Sequence, residues 1–217
     1  MRNAGFTLVE MLIVCAVALI VASIMIPAVV HIQRKNAERL AENEVKEIAA
    51  LIEQYKLYTG VYPQANLLEI LAEQDGQTLS NTTNLGNESL VLALCSLDNG
   101  GPYLRRDLAD VNRKKLQNLD RDNAWKVALN NTFFTDSELR EYVDPWGVPY
   151  VYFDNSVYFD TTVHTYTVGG TTFQARPIKD PQGRFYEPLG FQLWSCGPNR
   201  VNDQGKGDDI TAWVVDR

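Results

Sequence analysis

The chain has 217 residues, 45% of them hydrophobic and 22% charged, with a formal net charge of −7. That size suits one soluble core plus one special segment and argues against two large domains. The acidic balance argues against a basic nucleic-acid-binding face, so no nucleic-acid partner is expected, but it is compatible with a cation site.

Residues 1–5, Met1 to Gly5, read as a short leader, and residues 6–30 as the membrane-spanning half of a long helix. From Met11 to Val30 only Ser23 and Pro27 interrupt the apolar run. Twenty residues at 1.5 Å each reach about 30 Å, the thickness of a bilayer's hydrocarbon core. The run is too long for the core of a secretory signal peptide, and no small-residue cleavage site follows it, so a retained membrane helix is expected. Arg2 precedes the run while Arg34, Lys35 and Arg39 follow it, so the positive-inside tendency does not settle orientation. An N-terminus this short and polar is easily left in the cytoplasm.

Residues 31–60 continue the helix in amphipathic form. Ala37, Leu40, Ala41, Val45, Ile48, Leu51, Ile52 and Tyr55 recur every three or four residues, with Arg39, Glu42, Lys46, Glu47, Glu53 and Lys56 on the other side. That stripe is expected to dock on a globular head. Gly60 and Pro63 end the helix, which would run from Phe6 to Tyr58 over about 80 Å, loosened at Pro27.

Residues 61–217 form the head. Short helical signals cover Asn66 to Asp75, Ser89 to Leu97 and Thr135 to Tyr142, among loops rich in Asn and Gly. From Asp144 onward the runs 148–153, 163–168, 171–175 and 191–195 are rich in β-branched and aromatic residues and bounded by Gly, Pro and Asn. They predict an antiparallel sheet with one apolar face over the helix stripe. The expected class is therefore α+β: a long N-terminal helix packed on a C-terminal antiparallel sheet.

Cys15 lies in the apolar run, where it packs as a small hydrophobe. Cys95 and Cys196 would pair or stay free according to compartment, and spacing does not decide between these. Asp144-Pro145-Trp146-Gly147 reads as a rigid turn. His31 and His164 lack a metal or triad pattern. Ser195 lacks the glycines of a nucleophile elbow. With no catalytic constellation in view, an enzyme is not expected.

Glu10 is the unusual residue, because a carboxylate at the mouth of a membrane span is costly unless neutralised. Two readings stand side by side. Thr7-x-x-Glu10 forms a capping box for the helix start. Alternatively, if the chain were cut after Gly5, Phe6 would carry a new α-amino charge that a neighbouring copy's Glu10 could neutralise.

The run Gly5-Phe6-Thr7-Leu8-Val9-Glu10-Met11-Leu12-Ile13-Val14, followed by Pro27, resembles the leader of type IV prepilins. The resemblance implies a pilin-like fold and cleavage by a prepilin peptidase between Gly5 and Phe6. It also implies N-methylation of Phe6 and an assembly role for Glu10. The run from Glu53 to Pro63 resembles the helix end of G-type pseudopilins of type II secretion. Gly101 to Leu104, Asp144 to Tyr152, Phe191 to Gly197 and Gly205 to Trp213 resemble later landmarks of that family, in order. Extra segments fall at 64–100, 105–140 and 154–188, which makes the head longer than usual.

Membership would imply a structural subunit that polymerises through its N-terminal helix and drives protein secretion across the outer membrane. Its partners would be prepilin peptidase, an inner-membrane secretion platform and minor pseudopilins. It would cross the inner membrane once, with a cytoplasmic N-terminus and a periplasmic head. The alternatives are a type IV pilus or minor pilin subunit and, from another class, a membrane-tethered enzyme or receptor.

In G-type proteins the last loop holds a calcium ion. The matching positions are Asn199, Asp208 and Asp209, with backbone carbonyls at Leu193 and Ser195. Hard oxygens on a Gly-rich turn suit calcium. Asn199 stands where an aspartate is usual, which removes one charge, and Asp203 is the residue placed to compensate.

Overall fold

A computed structural model describes residues 8–68, 79, 81–98, 100–104, 115–123, 132, 134, 136–168 and 170–213. The chain falls into two compact units, one up to Arg39 and one from Leu40 onward. Helix α1 spans Leu8–Thr59 and passes through both.

The N-terminal unit is helical, with Pro27 inside α1. Proline has no N–H to offer the carbonyl four residues back, yet the helix continues on both sides. The hydroxyl of Ser23 donates to the Ile20 carbonyl at 2.7 Å, which spends the one polar side chain between Met11 and Val30 locally.

In the second unit α1 buries Ala41, Glu44, Val45, Ile48 and Ile52. Four of these five are apolar and follow the predicted stripe, whereas Leu40 is exposed and Ala37, Leu51 and Tyr55 are half-buried. Gly60 adopts φ +83°, and its N–H donates to the Lys56 carbonyl, which ends the helix in a left-handed turn. Helix α2 spans Leu85–Cys95, four residues earlier at its start than the helical signal from Ser89. Asn84 stands before it at φ 59°. Its amide side chain is spent on tertiary partners: Nδ2 donates to Glu141 and Oδ1 accepts from the Thr167 N–H.

The strands are β1 (Leu116–Gln117), β2 (Glu141–Tyr142), β3 (Val151–Asp154), β4 (Thr165–Val168), β5 (Thr171–Gln174), β6 (Phe191–Ser195) and β7 (Ile210–Thr211). All pairings are antiparallel, as expected, but they form three small sheets rather than one: β1-β2, β4-β5 and β3-β6-β7. Of the helical signal from Thr135 to Tyr142, the described residues 136–142 are not helical. Its last two residues form β2, and Arg140 reaches back to Asp136 at 2.7 Å. The segment lacks a helical apolar stripe, and pairing with β1 satisfies its backbone instead. The helix expected from Asn66 to Asp75 lies outside the described residues beyond Leu68.

Strand β6 is the centre of the main sheet, and all five of its residues are buried. Trp194 contacts Phe153 and Trp213, with ring centroids 5.7 and 5.9 Å apart. Gln192, polar and fully buried, has its amide spent: Oε1 accepts from the Ile178 N–H, and Nε2 donates to the Ile178 and Tyr186 carbonyls. Cys95 and Cys196 are buried free thiols and Cys15 is exposed. Burial pushes the Cys95 and Cys196 thiols upward in pKa, so both are held protonated and unreactive.

Candidate functional site: the N-terminal helix and the C-terminal loop

Two places carry the chemistry expected above. The first is the start of α1. Glu10 lies in its first turn, where the aligned N–H dipoles of the helix favour a negative charge. Around and beyond it the apolar side chains face outward. Leu8 is 81% exposed and Ile24 69%. Among the described residues α1 is the one helix long and apolar enough to cross a membrane, and none of its apolar stretch is buried. A soluble protein rarely leaves so large a contiguous apolar surface to water. Gly5 and Phe6 fall outside the described residues.

The second is the loop from Cys196 to Asp209, which joins β6 to β7. Its shape is set by short residues in turn conformations. Gly197 has φ +67°, and a side chain there would run into the Asp208 carbonyl. The N–H of Asn199 donates to Asp208 Oδ2 at 2.9 Å, so two of the expected ligand positions meet directly. Asn199 Oδ1 accepts from the Val201 N–H at 2.6 Å, and its Nδ2 donates to Asp203 Oδ2 at 2.9 Å. Asp209 accepts the Gly205 N–H on Oδ2 at 2.7 Å, whereas its buried Oδ1 has no hydrogen-bond partner. The carboxyl of Asp209 is pushed up to about 7, first by burial and then by the negative charges of Asp203 and Asp208.

At the base of the loop the Leu193 carbonyl accepts the Ala212 N–H at 2.9 Å. Ser195 donates its hydroxyl to Asp144 Oδ2 at 2.6 Å and pairs with Ile210 across the sheet. Asp144 also accepts from the Trp146 and Val148 N–H groups, which locks the Asp144-Pro145-Trp146-Gly147 turn onto the loop's root.

The first 26 residues match the prokaryotic N-terminal methylation motif. Over 151 residues the chain is 26% identical to the type II secretion system core protein G of Pseudomonas aeruginosa, covering 70% of this chain and 73% of that protein. No solved structure matches the chain. The methylation motif and the similarity to core protein G together support a type II secretion pseudopilin.

The head also contains polar residues that sequence reasoning missed. Glu44, on the buried side of α1, accepts the Tyr150 hydroxyl at 2.7 Å and pairs with Lys115 at 2.6 Å. Asn87 donates to the Tyr142 and Tyr150 carbonyls and accepts the Tyr142 N–H, tying α2 to β2 and to the residue before β3. The signal for Glu44 was present, since it sits between Ala41 and Ile48 in the apolar stripe. For Asn87 there was none, because an asparagine in a polar stretch carries no mark of burial.

Proposed function

We propose that this pseudopilin is a structural subunit whose leader is removed by a prepilin peptidase between Gly5 and Phe6, with methylation of the new Phe6 N-terminus. The mature subunits then pack their α1 helices together into a filament that drives secretion across the outer membrane. The observation that carries this is the exposed apolar stretch of α1, opening on Glu10, in a chain that matches the methylation motif.

A carboxylate moved into the hydrocarbon of a membrane costs about 2.5–3.5 kcal/mol on insertion scales. The amine of a neighbour's Phe6 offsets that cost only when two subunits are in register, so Glu10 makes correct packing cheaper than incorrect packing. Aliphatic surface then leaves lipid for protein, and the gain is close packing rather than expulsion of water. The subunit would cross the inner membrane once, with its head in the periplasm. Its partners would be copies of itself, minor pseudopilins and the inner-membrane secretion platform.

Co-expression with a prepilin peptidase should remove Met1 to Gly5 and add one methyl group, read as intact mass; an unprocessed chain would sink the proposal. Glu10→Ala should still insert into membranes while filament yield falls to background by sedimentation. Normal filaments would remove the register role.

For the C-terminal loop we propose a calcium ion held by Asp208 and Asp209 with carbonyls at the loop's root, in the region of Leu193 and Ser195. The support is the orphaned, buried Asp209 Oδ1 and the repulsion among Asp203, Asp208 and Asp209. Asn199 would act by holding Asp203 and the loop backbone, since its own amide oxygen is spent on Val201. The ion would supply positive charge that fixes the β6–β7 loop. Calcium should raise the melting temperature of the wild-type chain, and Asp208→Asn with Asp209→Asn should remove the part due to this loop. An identical calcium response in that double variant would defeat the assignment.

A further inference from the structure

A second acidic cluster shares no residue with either site and draws on two of the extra segments of the head. Glu88 comes from the first turn of α2, and Asp120 and Asp122 from the turn after β1. One carboxylate oxygen from each lies within 4.8 Å of the others, and no other such triad of His, Cys, Asp or Glu occurs among the described residues. Glu88 is wholly buried and Asp122 is 1% exposed. All four of their carboxylate oxygens lack a hydrogen-bond partner. Two fully buried acids pointing unpartnered into one place is the feature that demands an explanation, because buried polar atoms are almost always satisfied.

The surroundings hold this arrangement in position. Asn118 grips Asp122 through its backbone, accepting from its N–H at 3.0 Å and donating to its carbonyl at 2.7 Å. Arg121, between the two aspartates, adopts φ 61° and is itself exposed. Asp120 is eased by the Asn81 side chain. Glu141 forms an adjacent wall, and both of its oxygens are spent, on the Asn84 amide and the Leu119 N–H. None of the ion pairs formed by Lys115, Arg140 and Arg184 includes a member of the cluster.

Four carboxyls without a cation repel one another. Burial, and then Asp122, Glu141 and Asp120 in turn, push Glu88 well above the usual carboxylate range. Asp122 is pushed up to about 7 and Glu141 up to about 8. Ionised acids this deep are tolerated when paired or when they coordinate a metal. We propose that Glu88, Asp120 and Asp122 form a binding site for a hard divalent cation, with calcium the preferred ion. Three carboxylates offer up to six oxygens and no soft ligand, which fits the 6–8 oxygen shell of calcium. Magnesium usually retains several waters and is bound through one or two carboxylates. The ion bridges the start of α2 to the β1–β2 region. This assignment is independent of the subunit's role in a filament.

The test uses the full chain in detergent, stripped with chelator, in the Asp208→Asn/Asp209→Asn background so that the C-terminal loop cannot contribute. Equilibrium dialysis should then find about one calcium per chain. At hundredfold excess over Kd the melting temperature should rise by about 5–10 °C. Adding Glu88→Gln should weaken calcium binding at least about tenfold and should itself raise the melting temperature of the cation-free protein, since it removes buried repulsion. Asp122→Asn, a second isosteric change, should behave the same way. No ion bound in the Asp208→Asn/Asp209→Asn background would overturn the proposal, leaving the acids sharing protons. Undiminished binding in both Glu88→Gln and Asp122→Asn would overturn it equally, and tighter binding of magnesium than calcium would overturn the choice of ion.

Discussion

Asp209 shows how a single carboxyl couples the loop to pH. Its folded form titrates at about 7, while an unfolded aspartate titrates at about 3.9. Between those values the folded state binds the extra proton, so stability is lost as pH rises through that window. In calcium-free buffer the wild-type chain should lose about 1 kcal/mol between pH 4 and 7 at this residue, a figure discounted for the solvent that reaches the loop. Asp209→Asn should make the decline shallower by that amount, measured by denaturant titration at several pH values. An unaltered slope would show that its carboxyl is not held neutral. Glu44 behaves differently, because its partners are in place. Glu44→Ala strands the buried Tyr150 hydroxyl and one end of Lys115, and should cost about 2–3 kcal/mol.

At the scale of elements, α1 changes its task along its length. In the second unit Val45, Ile48 and Ile52 belong to the same hydrophobic core as Val151, Leu193 and Trp194 of the main sheet, so Ile52→Ala should destabilise by about 2–4 kcal/mol in chemical unfolding. Leu57→Ala, on a residue 82% exposed, should stay within about 0.5 kcal/mol. Equal effects would mean that the buried stripe is misassigned. The helix and the strand β6 were legible in the sequence because their signals are local: a three-to-four-residue apolar repeat, and a β-rich run between glycines. The division of the strands into three sheets was not, since strand partners such as Val151 and Trp194 are set by tertiary packing. Thr135 to Tyr142 was misread because Ser, Glu, Leu and Arg are helix-compatible, and β1, the partner that draws Glu141 and Tyr142 into a strand, leaves no trace nearby. The loop residues Asn199, Asp208 and Asp209 were singled out through the resemblance to G-type proteins, since a turn rich in Asn, Asp and Gly carries no ligand signal of its own. Glu88 and Asp122 looked like surface acids until folding brought them together.

At the scale of the whole molecule, the two units divide the problem of solubility. The exposed apolar residues of α1 up to Ile32 all lie in the first unit, and the main hydrophobic core lies in the second. Deleting residues 1–35 should therefore yield a soluble monomer by light scattering that melts cooperatively. Persistent aggregation would locate sticky surface in the head instead. Such a chain should keep both predicted cation responses, because every residue assigned to them lies beyond Leu40.

In the proposed assembly the outward-facing side chains of α1 would also set how subunits meet. A chain held in a bilayer by one end of its sequence searches for neighbours by sliding in two dimensions, and every copy is held the same way up. Collisions between wrongly inverted subunits are then excluded before any contact is tested. A polymer grown from such a pool acquires a single direction from the membrane that stores its parts.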